Sequence, residues 1–243
     1  MKFHFTVQPY QTDAVEAVVR VFEGQPYAAR TTYLRDVGTN AAQGNLLPVQ
    51  ESYMNAPLLT AEADDGFRNE EVHLTQGELL AHIRRVQSAH NLHLSDTISA
   101  PLGACALDVE METGTGKTYV YIKTMFELNR RYGWSKFIVV VPSIAIREGV
   151  KKSFEMTAEH FMEHYGKKAR FFVYSSANLN QLDAFSADAG LSVMIINTQA
   201  FAASLNEEKS IEGRGGNKEA RIIYSKRDAF GSRRPIDVIA ANR

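Results

Sequence analysis

The chain is 243 residues long, 44% hydrophobic and 23% charged, the composition of a soluble globular protein with enough material for one ordinary core in one or two domains. A formal net charge of -1 argues against nucleic-acid binding through bulk basicity, and the single cysteine, Cys105, excludes an intrachain disulfide and paired-cysteine metal sites. No window approaches the roughly 18 apolar residues of a membrane span, so a reducing cytoplasm without any membrane partner is the expected setting.

Asp13, with Glu16 three residues on, predicts a capping box for a first helix that carries Val15, Val18, Val19 and Phe22 on one face and stops at Gly24. Residues 25–72 lose all periodicity among Gly, Pro and Asn and read as an irregular insertion. Helical spacing returns from Thr75 to His90 through Leu79, Leu80, Ile83 and Val86. The run "ACALDVEM" reads as a buried strand, and a helix with Tyr121, Ile122, Met125 and Leu128 on one side then extends to Gly133. "KFIVVVP", Lys136 to Pro142, predicts a second buried strand. A helix from about Ile144, another around Ala158 to Tyr165, and strands at "ARFFVY" and "LSVMIIN" follow. Apolar strands alternating with helices give an α/β class with a parallel sheet covered on both faces. The segment Ile211 to Arg243 is polar and Gly-rich and is expected to stop rather than complete an element at "PIDVIAANR".

Charge is unevenly placed. Glu51 to Leu80 holds seven acidic side chains against one basic, Arg68, whereas Lys209 to Arg243 holds nine Lys or Arg against four Asp or Glu. A basic stretch of that kind is ordinarily a solvated surface, and it is also where a phosphate-backbone contact would be sought.

The densest motif is "ETGTGKT". A strand feeding a Gly-rich turn into a helix N-terminus gathers backbone N–H groups around one point, where the helix dipole also favours an anion. Thr113, Gly114, Thr115 and Gly116 can curl close to phosphates, Lys117 can reach the β and γ oxygens, and Thr118 is placed to bind Mg2+. The expected ligand is therefore a nucleoside triphosphate with Mg2+. The strict phosphate-loop pattern has a glycine where Met111 stands.

"EMETGTGKT", "FIVVVPSIAIREGV", "QPYQTDAVEAVVRVFEGQ" and "MIINTQAF" together resemble the restriction subunit of type III restriction-modification enzymes, which are superfamily 2 helicases in which that first glycine is commonly replaced. The resemblance implies a P-loop NTPase fold, here an incomplete first RecA-like helicase domain over 101–243, preceded by a Q-motif segment over 1–24 and an insertion over 25–100. It makes Gln11 the adenine-reading glutamine. Ser143 and Arg147 become contacts to the DNA backbone, with Thr198 and Gln199 as a second strand contact. It further implies ATP hydrolysis, translocation on and cleavage of double-stranded DNA by the full enzyme, and a DNA-methylating modification subunit as partner. The Asp-Glu-Pro-Gln carboxylates that would hold Mg2+ are not in the sequence. The expectation is thus a segment that binds ATP with little turnover, with the missing strand encoded downstream. The alternatives are another superfamily 2 helicase or repair translocase, and a non-catalytic nucleotide-binding remnant.

Three other patterns compete weakly. "HFMEH", His160 to His164, matches an inverted zinc-peptidase pattern but reads as two solvated histidines on a polar helix face. His90 and His93 lack a second ligand pair. "EEK" at Glu207 to Lys209, with Asp188 upstream, mimics half of a nuclease centre but falls in a charged loop.

Overall fold

Pro9 decides where the first helix begins. Its fixed φ suits the first helical position, where its missing N–H would have had no partner, and the Oε1 of Gln11 accepts the Gln8 N–H at 3.3 Å. The helix α1 therefore spans Pro9–Arg20, one turn before the start expected from Asp13. The computed structural model describes residues 5–38, 65–101, 103–201 and 222–242. Within it the chain forms two compact units: one of Met1–Arg30, Asn69–Ser135 and Lys152–Ala169, the other of Thr31–Arg68, Lys136–Lys151 and Arg170–Arg243.

The first unit is helical. Besides α1 it contains α2, Gln76–Ala89, and α3, Lys117–Tyr132. The expected Thr75 start is met, because Thr75 and Glu78 cap each other, Glu78 accepting the Thr75 N–H at 2.8 Å. Val15 and Val19 of α1 and Ile122 of α3 are fully buried, each side chain contributing about 1.5–3 kcal/mol of transfer free energy. Tyr132 ties the two helices by donating to the Val19 carbonyl at 2.9 Å. α3 ends at Gly133 with φ +80, where a Cβ would lie 1.8 Å from the Ala28 carbonyl oxygen, so only glycine fits.

"ACALDVEM" forms no strand. Asp108, Val109 and Glu110 are exposed, and the segment has no ladder partner among the described residues. Strand formation needs a neighbour to take the backbone N–H and C=O groups, and apolar composition alone does not supply one. Cys105 lies half-buried beside the cluster of Val21, Leu79 and Ile83, and burial pushes its thiol up, away from the reactive thiolate.

The second unit carries the sheet. β3, Lys136–Val141, and β4, Arg170–Val173, both pair in parallel with the central β5, Ser192–Asn197. A separate antiparallel ribbon joins β1, Thr31–Leu34, to β2, Asp65–Arg68. The stretch read as irregular over 25–72 thus contains two strands, each only four residues long and paired over a separation too great to leave a local pattern. All six residues of β5 are buried, as expected of a central strand. β3 is not covered on both faces: Ile138 is 40% and Val140 51% exposed, and both lie on the same face of the strand.

The two helices expected after Ile144 are one, α4, Ile144–Tyr165. No proline interrupts it, and Thr157 returns its hydroxyl to the Ser153 carbonyl at 2.8 Å. Two short helices were not anticipated, α5 at Asn180–Ala187 and α6 at Pro235–Ala241. Residues 235–242 of the run "PIDVIAANR" therefore fold: Val238 and Ile239 enter a core with Leu182, Phe185, Met194 and Ile196, while Arg243 lies outside the described residues. The basic stretch before it is partly internal. Arg233 is buried and donates to both Asp183 oxygens at 2.7 and 2.8 Å, and Arg234 pairs with Asp237. No helix among the described residues is long and apolar enough to cross a membrane.

Candidate functional site

The turn between Met111 and α3 is built by its own backbone. Glu112 O accepts the Thr115 hydroxyl at 2.6 Å, and Gly114 and Gly116 adopt φ of +84 and +87, which glycine alone adopts without strain. Gly116 is the N-cap of α3. No side chain caps the helix and no acid lies in its first turn, so its free N–H groups and positive dipole end are left to an external anion. A Cβ on Gly114 would meet nothing within 4 Å, so that side of the loop is open. Lys117, at the first helical position, folds back so that its ammonium donates to the Met111 carbonyl at 2.7 Å. The residues present fit a polyphosphate: the start of α3 offers uncapped donors and a cation, and no acid lies in its first turn.

Gln11 reaches this loop. Its Nε2 donates to the Thr115 carbonyl at 3.0 Å, and a Cβ on Gly116 would approach Nε2 to 2.6 Å. The Tyr10 hydroxyl donates to the same carbonyl at 3.2 Å. The first unit thus assembles Gln11 with Thr113 to Thr118, although the sequence separates them by about a hundred residues. Tyr10 was missed, since an exposed tyrosine in the first turn of a helix carries no periodic or spacing signal; its one clue was adjacency to Gln11.

Ser143, Arg147, Thr198 and Gln199 belong to the second unit. Val141 pairs with Asn197, so β3 and β5 end side by side and deliver Ser143 and Thr198 to the same carboxyl edge of the sheet. Ser143 caps α4, its Oγ accepting the Ile146 N–H at 3.3 Å, and Arg147 one turn on contacts Glu148 through Nε and a terminal nitrogen at 3.2 and 3.1 Å.

The competing patterns resolve differently. His160 is not solvated: it is buried among Phe5, Tyr119 and Phe161, its Nε2 lies 2.9 Å from the Tyr119 hydroxyl, and burial holds it below the usual histidine range. His164 lies against the His160 carbonyl at 2.8 Å. Asp188 accepts from the Ser192 hydroxyl and the Gly190 N–H, while Glu207 to Lys209 lie outside the described residues. Among the described residues no group of three or more His, Cys, Asp or Glu side chains is placed to hold a metal ion.

The family described as "Type III restriction enzyme, res subunit" matches residues 71–223, more than half of the chain. The chain belongs to the type III restriction enzyme Res subunit family. It is 39% identical over 111 residues to the type III restriction-modification enzyme EcoP15I Res subunit of Escherichia coli, a match covering 44% of this chain and 11% of that protein. The EcoPI Res subunit of Escherichia phage P1 is 37% identical over 111 residues, covering 44% of this chain and 11% of its own length. The StyLTI Res subunit of Salmonella typhimurium is 42% identical over 86 residues, covering 34% of this chain and 9% of its own. The matched stretch is thus about a tenth of the length of these Res subunits.

Proposed function

We propose that this chain is a nucleotide-binding segment of a type III restriction enzyme's Res subunit, in which residues 113–118 hold the phosphates of Mg-ATP and Gln11 reads the base. The observation that carries it is the uncapped start of α3, where two glycines of positive φ and Lys117 present donors and charge to one open point. Thr118, on the first turn, is the residue that would hold Mg2+. When bound, Mg-ATP supplies the transferable phosphoryl group; the loop's part is to orient it and neutralise its charge. The family membership supports extending the reading to a helicase-like domain of a larger enzyme that cleaves double-stranded DNA with ATP and works beside a DNA-methylating modification subunit.

The test of the nucleotide reading is direct titration with Mg-ATP and Mg-GTP by calorimetry. Gln11 has spent one N–H on Thr115 O and one lone pair on the Gln8 N–H, which leaves one donor and one acceptor for a purine edge. Gln11→Ala is expected to erase roughly 1–3 kcal/mol of preference for ATP over GTP. Equal discrimination before and after the change removes Gln11 from the base site.

The second-unit edge supports a DNA-backbone role for Ser143, Arg147, Thr198 and Gln199 by bringing them to one end of the sheet. Arg147 is held by Glu148, and a phosphate can replace that carboxylate as its partner. Binding to duplex DNA is expected to be weak and steeply salt-dependent, and Arg147→Ala to flatten the log K against log salt slope by about one unit. Anisotropy titrations across salt concentrations read this, and an unchanged slope takes Arg147 out of the contact.

A further inference from the structure

The Thr115 carbonyl is held by two donors from the start of α1, Tyr10 Oη at 3.2 Å and Gln11 Nε2 at 3.0 Å. A trans peptide is rigid and planar, with its C=O and N–H pointing in opposite directions. Fixing the Thr115 oxygen towards α1 therefore fixes the Gly116 N–H away from it. That N–H has no protein acceptor among the described residues, and it belongs to the group of donors at the start of α3. The flanking residues make the restraint necessary. Gly114 and Gly116, at φ +84 and +87, have no Cβ to oppose rotation of the intervening peptides, and a turned-over 115–116 peptide would present a carbonyl oxygen where the donor now stands. The Thr115 side chain does not supply the restraint, since its hydroxyl is committed to Glu112 O.

We propose that Tyr10 is a positioning residue for the phosphate loop, holding the 115–116 peptide in the orientation that directs the Gly116 N–H at a bound polyphosphate. This rests on the nucleotide-binding reading above. Tyr10 acts on the polyphosphate and not on the base, so its effect is independent of which nucleoside is attached. Tyr10 is 47% exposed, and its hydroxyl makes the contact, so Tyr10→Phe removes the restraint without opening a core.

The experiment is calorimetric titration of the chain, its Tyr10→Phe variant and its Lys117→Ala variant with Mg-ATP and, separately, with Mg-tripolyphosphate, which has no base. Tyr10→Phe is expected to weaken both ligands by the same factor, about three- to tenfold, the loss of one hydrogen bond. The melting temperature without ligand should be unchanged. Weaker ATP binding with unaltered tripolyphosphate binding would place Tyr10 at the base and overturn the proposal. So would unchanged affinity for both, or a loss matched by a lower melting temperature. The two readings fail separately: with Tyr10→Phe silent and Lys117→Ala still weakening both ligands, the positioning role alone falls. If the unaltered chain takes up neither ligand, the nucleotide reading falls and the positioning role with it.

Discussion

Lys117→Ala is expected to weaken Mg-ATP binding by about tenfold or more, the range for a hydrogen bond to a charged group. The ammonium now rests on the Met111 carbonyl at 2.7 Å, a neutral acceptor at an exposed position, and exchanging it for a phosphate oxygen strengthens the interaction on charge alone. Because Lys117 is exposed and packs into no core, the same substitution should leave the melting temperature unaltered. That separation matters: loss of binding then reports the loop and not the fold. A titration with a fluorescent ATP analogue that finds equal affinity in both proteins would refute the assignment of residues 113–118 to the phosphates.

The parts of this structure that were legible in the sequence are those whose cause is local. α2 could be read from the spacing of Leu79, Leu80, Ile83 and Val86, and β5 because six apolar-rich residues are buried on both faces. The glycine turn before α3 is legible for the same reason: its glycines, lysine and threonine are contiguous, and the backbone they shape is their own. What escaped depends on partners far along the chain. β1 and β2 each offer four residues and become strands only through each other, with the Tyr33 ring lying over Gly66. "ACALDVEM" has the composition of a strand and, among the described residues, no neighbour to make it one. α6 is short, and what fixes it is its burial of Val238 and Ile239, which no window of seven residues announces. In the site, Gln11 could be assigned only through the family resemblance, and its contact with Thr115 could not be read from spacing. Tyr10 had no signal of its own.

The same dependence on distant partners gives the largest expected effect on stability. Arg233 stands in a stretch that the sequence presents as a basic surface, yet its side chain is 8% exposed. The guanidinium is a planar fork of five donors, and four acceptors meet it: both Asp183 oxygens at 2.7 and 2.8 Å, the Asp36 carbonyl at 2.7 Å and the Phe230 carbonyl at 3.1 Å. It also stacks 4.1 Å from the Phe230 ring centroid. These contacts tie three parts of the second unit: the chain after β1, α5 and the turn before α6. Arg233→Ala removes the cation and leaves Asp183 without its ion-pair partner and the Asp36 carbonyl without its donor, while the Phe230 carbonyl keeps the backbone N–H of residue 233 at 3.3 Å. Breaking a buried pair in this way costs about 3–5 kcal/mol, and the partial exposure of Asp183, 32%, places the expected loss near the lower end, about 3 kcal/mol. Lysine at this position cannot reproduce the bidentate geometry, so Arg233→Lys should recover only part of the loss. Arg234→Ala, one residue on, removes an exposed pair with Asp237 and should cost less than about 1 kcal/mol. Denaturant melts of the three variants decide the matter: an Arg233→Ala midpoint no lower than that of Arg234→Ala would show that the buried guanidinium contributes nothing beyond a surface charge.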